Sequence, residues 1–308
     1  MARADRAGIA QPPGGLGGPK DMAERERPLL IERGGPSWPA CLENIDGTPG
    51  ELWLRGRAEL LTRERRIAVV GTRSPTPYGE AQALRFGAAL AEAGVLVVSG
   101  MARGVDQAAH RGALRVEGDT LAVLGSGIDR PWPTGPLVDE LAERGLLVSE
   151  FPPGQTPRPH HFPLRNRIIS GLADAVVVIE AAAASGSLIT AQWALDQGRG
   201  VLALPGRVDH PMSRGTHRLL REGALLVESP EELLAEVYGG PRPPSRAPRA
   251  TEAPCVVALR GETLTADELA AQLGREVKEV LVDLVKLELA GELVRCPGGL
   301  WRRTERGL

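Results

Sequence analysis

Ile67-Ala68-Val69-Val70-Gly71-Thr72-Arg73 is the stretch that decides the fold. A short β-branched apolar run suits a strand buried on both faces, and the glycine after it lets the backbone turn sharply toward a helix. Open α/β sheets begin this way, and their ligands gather at the carboxyl ends of such strands. The residue delivered to that edge is Arg73, a permanent cation, where nucleotide-binding folds usually place a third glycine or a P-loop lysine. A guanidinium beside helix N-termini suits a phosphate-rich ligand.

Outward from this stretch, apolar runs at 67–70, 95–98, 120–124, 146–149, 174–179 and 201–204 alternate with helical stretches at about 77–93, 104–117, 136–144, 184–198 and 214–222. Alternation at this spacing predicts βαβ units with right-handed crossovers, hence an α/β fold with an extended Rossmann-like parallel sheet. The segment from Trp38 to Gly56 reads as an extended cover leading into the sheet. Residues 1–28, rich in Gly, Pro and charge and without a period, are expected to be disordered. Residues 29–238 then form the Rossmann-like domain, and the Pro- and Arg-rich run 239–253 reads as a linker. In 254–308, a capped helix from Thr265 to Gly274, a second helix at 276–290 and a hairpin turning at Pro297-Gly298-Gly299 outline a small winged helix.

The 308 residues carry a formal charge of −2, so any polyanion site is a local patch. The three cysteines, Cys41, Cys255 and Cys296, are scattered, which excludes a disulfide framework or a thiolate zinc site and fits a reducing cytosol. A cytoplasmic location is therefore expected. No apolar run approaches the roughly 20 residues of a membrane span. The second helix of the terminal module has four acidic residues against Lys278 and Lys286, the wrong sign for a major-groove reader, and so points to protein contact or weak DNA contact.

Four turns repeat glycine and hydroxyl residues at strand ends: Gly71-Thr72-Arg73, Ser99-Gly100 through Arg103, Gly125-Ser126-Gly127 and Ser185-Gly186-Ser187. Small residues let backbone N–H groups approach an anion, although any parallel sheet also needs glycine to turn corners. The run from Phe151 to Gly171 holds Arg158, Arg165 and Arg167, His160 and His161, and Phe162, with no acidic residue. Cations interleaved with an aromatic suit single-stranded nucleic acid. The alternative is a structural loop whose arginines pair with carboxylates elsewhere, with Asn166 as the N-cap of the next helix. Asp106 and His110 lie one helical turn apart without a third ligand, which favours a capping role for Asp106 over a metal site. There is no G-x-x-x-x-G-K-[ST] run, and no cofactor is implied.

Taken in order, these motifs resemble the DNA-processing protein A family (DprA/Smf). The resemblance spans about residues 38–236 and rests on several motifs. They are Ile67–Arg73 with Tyr78-Gly79, Val98–Asp106 through His110, Leu121–Asp129, Ser149–Gly154, Phe162–Gly171, Glu180-Ala181 with Ser185–Thr190, and Pro205-Gly206. It implies a non-catalytic protein that binds single-stranded DNA, dimerises, and helps load the RecA recombinase in natural transformation or recombination. It places DNA contacts at Arg73 and at Arg165-Asn166-Arg167, and a dimer surface in the late Rossmann elements, where Leu219, Leu220, Leu225 and Leu226 are candidates. Two positions depart from the family: Trp132-Pro133-Thr134-Gly135-Pro136 lacks the usual basic residue and Asn, and His217 replaces a frequent Asn. Residues 1–28 do not supply the family's N-terminal helical domain. The competing class is a nucleoside-monophosphate phosphoribohydrolase of related fold. Its Pro-Gly-Gly-x-Gly-Thr-x-x-Glu motif is missing where Glu180-Ala-Ala-Ala-Ala-Ser185 stands.

Overall fold

The computed structural model describes residues 28–239, 253–259 and 261–304. The readings of 1–28 as disordered and of 239–253 as a linker lie outside them except at residues 28, 239 and 253. Six parallel strands form where the apolar runs fall: β3 (Arg66–Val70), β4 (Leu96–Ser99), β5 (Thr120–Val123), β6 (Leu146–Ser149), β7 (Ala175–Val178) and β8 (Gly200–Ala203). β1 (Leu29–Glu32), β2 (Glu51–Gly56) and β9 (Leu225–Leu226) extend them into one nine-stranded sheet of order β1-β2-β6-β5-β4-β3-β7-β8-β9. The helices between are α1 (Pro77–Glu92), α2 (Val105–Arg115), α3 (Pro136–Arg144), α4 (His161–Gly171), α5 (Ser187–Asp196), α6 (Arg214–Arg221) and α7 (Pro230–Tyr238).

The expected cover segment does two jobs. Trp38, Leu42, Ile45, Leu60 and Leu61 pack on one face of the sheet beside α4 and α5. Its last six residues, however, are a strand: β2 pairs antiparallel with β6 in the register Leu54↔Val148, and β1, which precedes the segment, pairs antiparallel with β2. The sheet is thus mixed at one edge. The opposite face is filled by α1, α2 and α7 through Phe86, Leu90, Val105, Ala109 and Leu233. Leu219, a candidate for a dimer surface, is 4% exposed and belongs to the core, because α6 turns that residue onto the sheet. Leu225 and Leu226 stay half-exposed on β9, the edge strand.

One buried polar group on this scaffold sets a pH dependence. His110 of α2 lies with its Nδ1 2.7 Å from the hydroxyl of Thr120, which itself donates to the Val97 carbonyl at 2.9 Å. The ring therefore donates from Nδ1, and its Nε2 has no partner among the described residues. Burial, helped by the charges of Arg165 and Arg111, pushes its pKa down to about 3. The unfolded chain binds a proton that the folded chain refuses. The contribution is thus intact above the unfolded pKa of about 6.5 and is lost as the pH falls toward the folded value. Going from pH 7 to pH 5 should cost about 2 kcal/mol through this one group. His110→Gln should flatten the fall of unfolding free energy over that range; an unchanged slope would assign it to other groups.

The terminal module has its own core of Cys255, Val256, Leu259, Leu269, Val280, Leu284, Leu293 and Trp301. It contains α8 (Pro254–Ala258), α9 (Ala266–Leu273) and α10 (Val277–Leu289), with β10 (Leu264–Thr265), β11 (Leu293–Arg295) and β12 (Leu300–Arg303) ordered β10-β12-β11. Thr265 and Glu268 form a capping box at α9, and Gly274 ends it at φ 61°. That left-handed conformation is where glycine costs least. Among the described residues, no helix is long and apolar enough to cross a membrane.

Candidate nucleic-acid interface

Strand order reverses at β3, which lies between β4 and β7, so the loops leaving β3 and β7 diverge and open a crevice at the carboxyl edge. In dinucleotide-binding sheets a phosphate sits there, on the N-terminus of the first helix. Here the position is filled from within. Glu180, just past β7, is 6% exposed, and its carboxylate accepts from the Thr76 backbone N–H at 2.9 Å and the Thr76 hydroxyl at 2.6 Å. Its own carbonyl accepts from Thr72 N–H at 2.7 Å. Thr76 in turn caps α1 by accepting from Gly79 N–H. A second anion at this helix end would meet the Glu180 charge, so an anionic ligand is directed to the β4–β5–α4 side of the crevice.

On that side Arg73 is exposed and its guanidinium lies 5.5 Å from the centre of the Phe162 ring. Phe162, in the first turn of α4, packs so closely on the β5 turn that a Cβ at Gly125 would come within 2.9 Å of the ring. Beneath the turn after β4 lies Arg165, 4% exposed, donating to the Gly100 carbonyl. A Cβ at Gly100 would fall inside that guanidinium, so a larger residue here would displace the end of the Arg165 side chain. Asp106 accepts from Gly100 N–H at 3.2 Å and Ala102 N–H at 3.3 Å, folding the turn back onto α2 and leaving Arg103 exposed at its tip. Burial draws the pKa of Arg165 down to about 10, opposed by Asp106, so it remains a cation at neutral pH. The edge therefore carries two exposed arginines, an aromatic ring and a buried positive charge behind the backbone of a glycine turn. In chemical terms such a surface offers donors and charge to a phosphate and a ring face to a planar base.

The other sequence candidates sit elsewhere. The run after β6 is not a loop throughout: α4 starts at His161, so Asn166 lies in mid-helix and is not an N-cap. Its amide donates to the Gly186 carbonyl at 3.3 Å, tying α4 to the Ser185–Ser187 turn, whose two serine hydroxyls bond each other at 2.8 Å. Arg167 makes a bidentate pair with Glu150 and also donates to the carbonyls of Gly47 and Leu164; at 5% exposure it is committed to the fold. Ser99 is fully buried and donates to the Val69 carbonyl at 2.6 Å. Thr72 is buried with its hydroxyl 3.6 Å from Met212 Sδ. Gly71 passes so near Val105 and the Glu180 carbonyl that a Cβ would clash, which explains the glycine by packing. Ser126 is buried, its carbonyl accepting from Ser149 Oγ at 2.6 Å, and Gly127 is closed over by the Pro152 carbonyl.

Two exposed groups at this edge, Arg130 and Trp132 after the β5 turn, were missed by reading motifs for glycine and hydroxyl residues, while Arg158, read with its run from the sequence, is exposed just before α4. The two loops are joined by Gly127 N–H to the Gln155 carbonyl at 2.8 Å and by Gly154 N–H to Asp129 Oδ1 at 2.7 Å. Burial holds the His161 imidazole below its ordinary pKa, and the nearby charges of His160 and Arg158 add to the effect. The signal was present as Arg130-Pro131-Trp132, a cation and an aromatic in one loop. His217, at the position of a frequent Asn, lies with Nε2 3.1 Å from the Gly206 carbonyl and holds the turn after β8. Among the described residues, no group of three or more His, Cys, Asp or Glu side chains could hold a metal ion.

Comparison with known proteins bears on the family and the fold. Residues 30–238 match the family model described as DNA recombination-mediator protein A, and residues 240–299 match the DprA winged helix domain. Protein Smf of Escherichia coli is 41% identical over 288 residues, covering 89% of this chain and 77% of that one. The putative DNA processing protein DprA of Mycobacterium tuberculosis is 41% identical over 318 residues, covering 93% of this chain and 82% of its own. The X-ray structure of DprA from Streptococcus pneumoniae aligns with a TM-score of 0.65 at 38% identity, over 70% of this chain and 76% of that one. A structure of DNA processing protein A from Helicobacter pylori, described for its single-stranded DNA binding mode, aligns with a TM-score of 0.63 at 29% identity, over 68% of this chain and 95% of its own. An extended Rossmann-like sheet with a winged helix after it, and a match to both family models, place this chain in the DNA recombination-mediator protein A (DprA/Smf) family.

Proposed function

We propose that the chain binds single-stranded DNA along the β4–β5–α4 edge and catalyses no reaction there. The observation that carries the reading is the Arg73 guanidinium over the Phe162 ring, on an edge where the usual dinucleotide phosphate position is filled by Glu180. Arg73 and Arg103 are assigned to phosphates, Phe162 to base stacking, and Arg165 to holding the Gly100 turn from beneath. Arg130, Trp132 and Arg158 extend the track. Arg167, Asn166, Ser99 and the Ser185–Ser187 turn are assigned to shaping it. The phosphoribohydrolase reading needs an acid facing substrate; Glu180 faces Thr76 instead. Single-stranded DNA binding by the Helicobacter pylori relative supports the choice of ligand.

The finer role follows from the family resemblance: protection of incoming DNA and loading of the RecA recombinase in natural transformation or recombination, by a cytoplasmic homodimer. For the dimer, half-exposed Leu225 and Leu226 on the β9 edge are the favoured contact, since an unpaired apolar edge strand invites a partner. Gel shifts with single- and double-stranded oligonucleotides at two salt concentrations test the central reading. Single strands should bind tighter than duplex of equal length with little sequence preference, and affinity should fall steeply with salt as counterions are released. Equal or tighter duplex binding would overturn it. RecA filament formation on coated single strands, with and without this protein, tests the loading role.

A further inference from the structure

Of the five tryptophans in the chain, Trp38 and Trp301 are buried in the two cores, and Trp53 and Trp193 are partly buried. Trp132 is 49% exposed, and among the described residues its ring has no hydrogen-bond, aromatic or cation partner. The loop that carries it, between β5 and α3, is nevertheless held in place. Ile128 and Leu137 seat its two ends in one hydrophobic cluster, and Pro133, next in the chain to Trp132, is buried. Arg130 N–H donates to the Gly127 carbonyl at 2.9 Å. The rings of Pro131 and Pro133 lock φ on either side of Trp132.

A single exposed ring needs no ligand to explain it, since folded surfaces carry many. The company of this one points to a ligand. Phe162 lies over Gly125 at the end of β5, and Trp132 follows Gly125 by seven residues in the same outgoing segment. That segment is tied at Gly127 and Asp129 to residues 154 and 155, which lead on to Arg158 and Phe162. Arg130 is exposed two residues before Trp132, and Arg73 lies over the Phe162 ring. The one acid of the loop, Asp129, accepts from Gly154 N–H. Each ring thus has an exposed guanidinium close to it, which suits planar bases joined by phosphates. A peptide or a lipid surface would be met by contiguous aliphatic surface instead. We propose that Trp132 is a second base-stacking platform, which takes one base of a bound single strand while Phe162 takes another.

The inference rests on the single-stranded DNA reading and adds to it a dependence on the bases themselves. Every base has a π-face, so a second platform raises affinity without selecting a sequence. Because the loop is fixed before the strand arrives, little freedom is lost when a base covers the indole. Stacking neutralises no phosphate and releases no counterion, so its contribution is independent of salt. That separates the role of Trp132 from the roles of Arg73 and Arg130.

The test uses the full chain and two labelled strands of equal length, an oligothymidylate and an oligomer of abasic sugar phosphates, with anisotropy read at several salt concentrations. Trp132→Ala should keep the parent's circular dichroism and thermal midpoint, and should bind oligothymidylate roughly 5- to 150-fold more weakly. The slope of log affinity against log salt should not change, and affinity for the abasic strand should match the parent's. Trp132→Phe should recover most of the loss, whereas Trp132→Leu, apolar without a ring, should not. Oligothymidylate should also quench the parent's tryptophan emission, and Trp132→Phe should remove most of that quenching while still binding. This last comparison needs only the conservative variant, so it decides the matter even where Trp132→Ala fails to fold. Undiminished quenching in Trp132→Phe, parental affinity of Trp132→Ala for oligothymidylate, or an equal loss on the abasic strand would overturn the platform and leave DNA binding at this edge standing. A parent chain that binds neither strand would overturn that reading and the platform with it.

Discussion

Arg165→Ala is expected to destabilise the Rossmann-like domain by about 3–5 kcal/mol, the usual cost of removing one partner from a buried charge arrangement. The side chain is 4% exposed and donates to the Gly100 carbonyl, with the Asp106 carboxylate supplying the opposing charge. Burial raises the pKa of Asp106, and Arg165 with the N–H groups of Ala102 and Gly100 works against that rise. Without the guanidinium the carboxylate is left buried near a void, takes up a proton more readily, and holds those two N–H groups less strongly. Denaturant unfolding followed by a tryptophan signal measures the loss. Adding Asp106→Asn should cost less than the sum of the single changes by about 1–3 kcal/mol, as groups of one network do. A loss below about 1 kcal/mol, or strict additivity, would show the two are not coupled. DNA affinity should fall with stability, because Arg103 rides on the turn that Asp106 secures.

The buried strands were legible because a strand covered on both faces must be apolar at every position, as Ile67–Val70 and Ala175–Val178 are. β1 and β2 were not. β1 is mostly exposed and pairs with β2, and β2 is a strand through its pairing with β6, about a hundred residues away. α8 has five residues, too few for a period. At the site, the cluster of cations around Phe162 could be read, but their directions could not. In a helix, residues two apart diverge by about 200°, so Arg165 reaches Gly100 while Arg167 turns to Glu150 and Gly47. The part played by Glu180 was equally hidden. Its partner Thr76 is 104 positions away, and only the crossing of β3 beside β7 brings them together. That contact separates this edge from a dinucleotide site more clearly than any missing glycine motif.

Arg73 is where these arguments meet, since its side chain is exposed and, among the described residues, its ring contact with Phe162 holds it over the edge. Arg73→Ala should leave unfolding free energy within about 0.5 kcal/mol of the parent, as surface changes do. It should weaken single-stranded DNA binding by about 1–3 kcal/mol, the worth of a charge-assisted contact, or roughly 5- to 150-fold in Kd. The slope of log affinity against log salt should shrink by about 0.7, the value for one phosphate contact on a single strand. Arg73→Glu should lose more, because it adds repulsion to the missing contact. Arg73→Lys separates the two functions of the side chain: the ammonium keeps the salt slope but loses the planar fork and most of the stacking on Phe162. If Arg73→Lys binds like the parent, charge alone acts and the ring is incidental. If Arg73→Ala keeps both affinity and slope, the phosphate track runs elsewhere, and the exposed Arg130 and Arg158 become its carriers. A folded Arg73→Ala chain with lost affinity and a shallower slope would locate a phosphate at the end of β3, on the side of the crevice that Glu180 leaves open.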